Sequence, residues 1–385
     1  MAADPERVAE TSGCESKYES STDATSGSLS RRDVLSATAA GSMATVAGCA
    51  KIFGSDTATE GETLDVCVWS GNYADRFEES VVPMYEEKTG KSIRLHRGWN
   101  EILADIRQAP DDEPPYDVTV TEGQFYHIGR QEELFLPIRE ENVPNLEAVI
   151  DYYTEFRTTE YGMPVDGAPC TIVYREDMDI EPDSWADFDS DAVRNSSGIG
   201  VDTGFWWFPV HAAAIGMDDR EFAGELYESE LHDDVFETFR NWNVSGWASS
   251  GEDIWQDFQN DVIDVAQWYF EQTEFDIDDY DGLAHTTPEH NTGYLNHWCV
   301  VDGTDKRAQA EDFLNFLMDA EVQTEWSEHM PTLFTNENMS YADDLGEELP
   351  TNSEEAENIA FPDWGYLMEY YEELNQTYTD IQTDA

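Results

Sequence analysis

The sequence predicts a two-lobed α/β fold in which each lobe holds a mostly parallel sheet flanked by helices. Three observations support this prediction: the length of 385 residues, an alternation of strand-like and helix-like segments, and one long extended segment in mid-chain. Strands and helices that alternate at short spacing are typical of parallel sheets covered by helices. A chain of this length can also bury more than one hydrophobic core.

The first lobe is predicted from the pattern that begins at residue 64. A strand over residues 64–69 is followed by a helix over residues 73–88, which Gly90 ends, and a later strand over residues 116–120. Parallel sheets bind ligands at the carboxyl ends of their strands. The side chains at the ends of these strands, such as Trp69 and Glu122, are therefore candidates for a site.

The second lobe is predicted to begin where the extended segment, residues 161–174, crosses between the lobes. A second crossing is predicted near residues 270–283, and the lobes are expected to rotate about these two crossings. The predicted organisation is lobe 1 over residues 63–166 and 284–335, lobe 2 over residues 167–283, and C-terminal helices that pack across both lobes over residues 336–385.

The composition is strongly acidic, with 20 Lys and Arg residues against 84 Asp and Glu residues and a formal net charge of -64. This charge disfavours binding to nucleic acid or to anionic lipid through a basic surface. A hydrophobic content of 40% and 12 Trp residues exclude a disordered acidic tail. An acidic surface with few Lys residues is typical of a protein that works in molar salt, where charge repulsion is screened.

The amino terminus has the features of an export signal. Arg31 and Arg32 precede a mild apolar run over residues 36–48, which ends at Cys49. The run is too short for a permanent membrane span. The segment resembles a twin-arginine lipoprotein signal, so residues 1–49 are predicted to be the signal, residues 50–62 a tether, and a lipid on Cys49 the membrane anchor. The expected location is the extracellular face of the cytoplasmic membrane.

The sequence contains no motif for a cofactor, a metal or covalent catalysis. Cys67, Cys170 and Cys299 lie in apolar strand-like runs, where a buried inert thiol is expected. The eight His residues show no metal-ligand spacing, and there is neither a Gly-rich phosphate loop nor a nucleophile turn. The sequence therefore predicts no cofactor, no metal and no enzyme activity.

Several short motifs occur in the order and spacing of a known family. They are Trp69-Ser70, residues 116–120, residues 130–138, residues 161–164, residues 184–188 and residues 310–317. In this the chain resembles the spermidine/putrescine-binding group of extracytoplasmic solute-binding proteins. The resemblance implies a type II periplasmic binding fold and a monomer that captures a small solute, best matched by an amine, for the permease and ATPase of an ABC importer.

The resemblance also implies a set of ligand-binding residues. In such proteins aromatic rings contact the methylene chain and carboxylates pair with the ammonium groups. Trp206 stands where a ligand-binding carboxylate is common in the family, which leaves room for a different amine. The implied residues are Trp69, Ser70, Tyr73, Glu122, Gln124, Trp206, Trp268, Glu271 and Asn296.

Three alternatives remain open from the sequence. The same fold serves other solutes, such as thiamine, a betaine, an oxyanion or ferric iron. A binding protein of this kind also reports to chemotaxis receptors. A secreted hydrolase with a pair of catalytic carboxylates is the alternative from a different class.

Overall fold

The structure, a computed structural model, describes residues 63–156, 160–217, 224–342 and 345–384. The predicted signal, the lipidation site at Cys49 and the tether lie outside the described residues. Within these ranges there is no helix that combines the length and the apolar character needed to cross a membrane.

The first third of the fold alternates strands and helices, as predicted. Its elements are β1 (Thr63–Trp69), α1 (Asn72–Glu79), α2 (Val81–Thr89), β2 (Ser92–Gly98), α3 (Ile102–Gln108), β3 (Val118–Glu122), α4 (Gly123–Gln131), α5 (Asp151–Phe156) and β4 (Met163–Arg175).

The middle of the chain continues the alternation. Its elements are α6 (Asp191–Arg194), β5 (Ile199–Asp202), α7 (Trp207–Gly216), α8 (His232–Asn241), β6 (Val244–Ala248), α9 (Gly251–Gln259), β7 (Val265–Tyr269), α10 (Phe270–Asp276), β8 (Leu283–Thr286) and β9 (Asn291–Val300).

The last part of the chain is mostly helical. Its elements are α11 (Arg307–Leu317), α12 (Ala320–Ser327), β10 (Leu333–Phe334), α13 (Ser353–Ala356), β11 (Ile359–Ala360) and α14 (Trp364–Asp384).

The single helix predicted over residues 73–88 is two helices, α1 and α2, that meet at Ser80. Pro83 lies in the first turn of α2 and has no N–H to donate to the carbonyl of residue 79, so a continuous helix would lose that bond. Gly90 ends α2 in the left-handed conformation (φ 69°), as expected for a helix C-terminus.

The sheet order is β2-β1-β3-β9-β4-β7-β5-β6. The outer strands pair in parallel: β1 with β2 and β3, and β5 with β6 and β7. The central pairs, β3–β9, β9–β4 and β4–β7, are antiparallel. The α/β class is confirmed, and the sheet is more mixed than predicted because two long strands run through its centre.

The long strand β4 belongs to both halves of the molecule. Its residues from Met163 to Pro169 pair with β9, and its residues from Cys170 to Tyr174 pair with β7. The buried apolar residues likewise form two cores, with Ala168 in the first and Cys170 in the second. This strand is therefore the crossing that the sequence predicts over residues 161–174.

The sequence predicts a second crossing near residues 270–283. The second long strand of the structure, β9, lies later in the chain than that segment. That segment forms α10 and the start of β8, and β8 pairs with the second half of β4. The C-terminal part of the chain contributes to both cores. Phe361 lies in the first core, and Leu374 of α14 lies in the second.

Candidate ligand-binding site

A cavity of about 270 Å³ opens between the two cores. Residues from both cores and from β9 line it. They are Trp69, Ser70, Gly71, Asn72, Tyr73, Trp99, Asn100, Glu122, Phe125, Phe205, Phe208, Tyr269, Glu271, Gln272, Phe275, Tyr294 and Asn296.

Three strand-to-helix turns bring side chains to this cavity. β1 ends at Trp69, and Gly71, with a φ of 84°, turns the chain into α1. β3 ends at Glu122 directly before α4, and β7 ends at Tyr269 directly before α10. The site therefore lies at the carboxyl ends of parallel strands, where α/β sheets bind ligands.

Aromatic side chains make up about half of the lining residues. Trp69 stacks on Trp99 with the ring centroids 5.2 Å apart, and Trp99 is 45% exposed at the cavity mouth. Tyr269 and Phe208 approach edge to face at 5.4 Å on the opposite wall. Such rings offer apolar contact and, through their faces, attraction for a cation.

Two carboxylates, Glu122 and Glu271, lie in the lining, and both side chains are at least nine-tenths buried. Oε2 of Glu271 accepts a hydrogen bond of 3.0 Å from the hydroxyl of Tyr294. Burial raises the pKa of Glu271 to about 8; the hydrogen bond from Tyr294 opposes this increase, and the negative charge of Asp166 adds to it.

In the described part of the chain, the cavity lining contains no Lys, Arg or His residue. The charged side chains of the lining are therefore two carboxylates, Glu122 and Glu271. A cavity whose charged side chains are all acidic is suited to a ligand that brings its own positive charge.

Two buried aspartates outside the lining accept hydrogen bonds from side chains of the cavity wall. Asp166 accepts hydrogen bonds from the hydroxyl of Tyr73 (3.0 Å) and from Nδ2 of Asn296 (2.8 Å). Asp202 accepts a hydrogen bond of 3.0 Å from the hydroxyl of Tyr269. Each aspartate thus fixes the position of at least one side chain in the cavity.

Six of the nine predicted ligand-binding residues line the cavity. They are Trp69, Ser70, Tyr73, Glu122, Glu271 and Asn296. Nε1 of Trp69 donates a hydrogen bond of 3.0 Å to Oδ1 of Asn296, which joins the end of β1 to β9.

The other three predicted residues do not line it. Trp268 is buried, and its Nε1 donates a hydrogen bond of 2.8 Å to Oε1 of Gln272. Its neighbour Tyr269 faces the cavity instead, because successive side chains of a strand point to opposite faces. Trp206 is buried beside Tyr371, with ring centroids 5.8 Å apart.

Gln124, the third of these residues, is the second residue of α4 and is half-buried outside the lining.

Most of the aromatic wall was not predicted. Trp99 follows the last residue of β2, Gly98, so the rule that ligands bind at strand ends was sufficient to find it. Phe205, Phe208, Phe275 and Tyr294 carry no comparable sequence signal, because apolar residues of this kind are common in any core.

The sequence predicts no metal site, and His spacing alone gave no indication of one. The structure brings ligand atoms of Glu274, His285 and Glu348 within 4.8 Å of one another. Nε2 of His285 already contacts Oε1 of Glu274 at 2.9 Å. The cluster joins α10, β8 and the segment after β10, a combination that only the fold reveals.

Similarity to known proteins identifies the family of this chain. The model of the bacterial extracellular solute-binding protein family matches residues 80–352. The chain belongs to this family. Its members bind solutes outside the cytoplasm, so the protein is an extracytoplasmic solute-binding protein.

Solved structures share the two-lobed fold at low sequence identity. An ABC transporter substrate-binding protein from Bradyrhizobium japonicum is 16% identical with a TM-score of 0.70, over 83% of this chain and 99% of that one. A protein from Agrobacterium tumefaciens in complex with agropinic acid is 18% identical with a TM-score of 0.63, over 83% and 98%. The two-lobed fold predicted from the sequence is confirmed.

A third similar structure is a spermidine/putrescine ABC transporter substrate-binding protein from Streptococcus pneumoniae. It is 12% identical with a TM-score of 0.68, over 84% of this chain and 99% of that one. No curated protein matches the sequence.

Proposed function

We propose that this solute-binding protein captures a small organic cation, such as spermidine or putrescine, for an ABC importer. The observation that carries the proposal is the lining of the cavity, which combines many aromatic rings with Glu122 and Glu271 and has no basic residue among the described residues.

The physical argument begins with desolvation. An ammonium group that leaves water needs a counter-charge and hydrogen-bond acceptors. Glu122 and Glu271 offer both, while Trp69 and Tyr269 offer ring faces for the methylene groups between the charges. A flexible polyamine has both kinds of surface.

The same lining argues against ligands that carry a carboxylate. Helix N-termini attract negative charge, and Glu122 and Glu271 already occupy the N-termini of α4 and α10. A ligand carboxylate would be buried beside these two side chains without a basic partner in the lining. Amino acids and betaines are therefore weaker candidates than polyamines.

Two contacts favour capture by closure of the lobes. The guanidinium of Arg76, in α1, lies 5.4 Å from the ring centroid of Phe275, in α10. The hydroxyl of Tyr294, in β9, donates a hydrogen bond to Glu271, in α10. Rotation about β4 and β9 would make and break these contacts as the ligand enters.

The export and anchoring steps are part of the proposal. Arg31 and Arg32 direct export by the twin-arginine route, and a lipid on Cys49 holds the protein at the outer face of the membrane. Replacing Cys49 with Ser should release the protein into the medium, and replacing both arginines with Lys should retain it in the cytoplasm.

A thermal-shift screen of the purified protein in molar KCl tests the ligand class. The panel contains polyamines, thiamine, betaines, amino acids, sugars and oxyanions. A ligand at a hundred times its Kd adds about 2.7 kcal/mol to the free energy of unfolding, so binding is easily seen. We expect spermidine or putrescine to raise the midpoint.

Two other results have clear meanings. A shift with a different solute alone would keep solute capture and overturn the polyamine assignment. A shift with amino acids or betaines would contradict the argument from the acidic lining.

A further inference from the structure

Asp166 is a fully buried carboxylate that lies directly behind the cavity wall. It is part of β4, at the point where the register with β9 shifts between Pro164 and Gly167. Oδ2 accepts hydrogen bonds from Tyr73 and Asn296, and Oδ1 accepts one of 2.9 Å from Nε1 of Trp298. Asp166 itself does not line the cavity.

All three donors to Asp166 are neutral groups. The ionisable side chains that face it are Tyr73 of α1, Glu271 of α10 and Tyr294 of β9, and none of them is a cation. Among the described residues, no basic side chain forms an ion pair with it.

The hydrogen bonds favour the ionised form of Asp166. Both of its oxygens act as acceptors, as expected of a carboxylate. Burial raises its pKa to about 6, and the three donors oppose this increase. The side chain is therefore mostly ionised at pH 7 and above, although no basic side chain in the described part of the chain pairs with it.

We infer that Asp166 is a specificity-determining residue whose buried charge selects cationic ligands without touching them, acting across the wall formed by Tyr73 and Asn296. This inference rests on the proposed function of the cavity. The many carboxylates at the surface cannot serve this purpose in molar salt, because the screening length there is only about 3 Å. A buried charge is screened far less.

The first test replaces Asp166 with Asn and measures the affinity for butane-1,4-diamine and for butylamine by calorimetry in about 1 M and about 3 M KCl. We expect the Asp166→Asn variant to bind butylamine about tenfold more weakly and the diamine more weakly still, because the diamine carries more charge in the same field. The loss should persist at the higher salt concentration.

An equal loss of affinity for both amines would mean that Asp166 only holds the wall in place. No loss of affinity would mean that its charge does not act on the ligand. Either result overturns the inference. The matched control is Asp117→Asn. Asp117 is also a buried carboxylate, but it pairs with Lys306 before the start of β3, away from the cavity. Its replacement should leave both affinities unchanged.

A charge exchange keeps the test informative if Asp166→Asn does not fold. In the double variant Asp166→Asn with Asn296→Asp, the hydrogen-bonded pair at 2.8 Å is kept and the carboxylate moves to the cavity wall. We expect this variant to bind the diamine several-fold more tightly than the wild type. Affinity at or below the wild-type value would contradict a role for the charge.

The same experiment separates this inference from the proposed function. If the wild-type protein binds neither amine, the assignment of an organic cation fails and the role of Asp166 falls with it. If the wild type binds both amines and the variants do not behave as described, only the role of Asp166 is overturned.

Discussion

The hydroxyl of Tyr294 donates a hydrogen bond of 3.0 Å to Oε2 of Glu271 inside the cavity. This bond joins β9 to the first turn of α10. Burial raises the pKa of Glu271 to about 8, and the hydrogen bond from Tyr294 opposes this increase.

Amine affinity should rise with pH up to about 8. Burial raises the pKa of Glu271 to about 8, so the empty site carries a proton at pH 7 that a bound ammonium must displace. Below the pKa, affinity is expected to increase by as much as tenfold per pH unit, and to level off above it. Calorimetry between pH 6 and 9 in two buffers that differ in ionisation enthalpy measures both the affinity and the released proton. Affinity that is independent of pH would contradict this assignment.

Replacing Glu271 with Gln should weaken amine binding and stabilise the empty protein at alkaline pH. The folded-state pKa lies above the usual value of 4.5, so the contribution of Glu271 to stability is full below pH 4.5 and is lost as the pH rises through about 8. The variant has no such loss. Chemical denaturation at pH 6 and pH 9 measures the difference, and Glu87→Gln, on the exposed side of α2, is the control.

Replacing Trp99 with Ala should weaken amine binding roughly two- to fivefold, the size of a cation–π contact at an exposed site. Trp99 is 45% exposed and stacks on Trp69, so the thermal midpoint should change little. Among the residues that the structure describes, Val262 is the other large apolar side chain that is exposed, at 36%, and Val262→Ala should leave affinity unchanged. A full loss of folding in Trp99→Ala would show that the ring is structural.

Replacing Gly123 with Ala should destabilise the protein more than replacing Gly282 with Ala. Both glycines have positive φ, 49° and 81°, which costs about 1 kcal/mol for any other residue. A Cβ at Gly123 would also lie 2.7 Å from Nε1 of Trp364, whereas at Gly282 nothing lies within 4 Å. Denaturation midpoints of the two variants separate the steric cost from the backbone cost, and equal midpoints would mean that Trp364 moves aside freely.

Stability should increase with salt concentration. A formal net charge of -64 makes the surface carboxylates repel one another, and screening shortens the range of that repulsion from about 10 Å in 0.1 M salt to about 3 Å in 1 M salt. We expect the thermal midpoint to rise steeply over this range of KCl concentration. Sucrose at the same osmolality is the control. The same rise in sucrose would point to general exclusion of the cosolute instead of screening.

The first-lobe side of the site could be predicted because it is local in sequence. Trp69 ends one strand, Ser70 follows it, and Glu122 ends another, so the rule for strand ends was sufficient. In the second lobe the same rule reached the end of β7 but selected Trp268 instead of Tyr269. A strand that is buried on both faces has no alternation of polar and apolar residues to show which face meets the ligand.

The parts that were not predicted depend on contacts between distant residues. β9 pairs with β3 and β4 in an antiparallel sense, and no local pattern shows which strands become neighbours. Asp166 reaches Asn296 and Trp298 only because of this pairing. The sequence therefore indicates which residues are able to bind a cation, while the sheet order decides which of them meet.

The pairing of β9 with β3 and β4 also affects the order in which the protein is built during translation. The second core is assembled largely from strands between Cys170 and Thr286, which leave the ribosome as one continuous stretch. The first core begins at Thr63 but needs the pairing of Val118 with Val300. The first core's half of the cavity is therefore completed only when nearly four-fifths of the chain has been made, and the second core still waits for Leu374 and Tyr378 of α14.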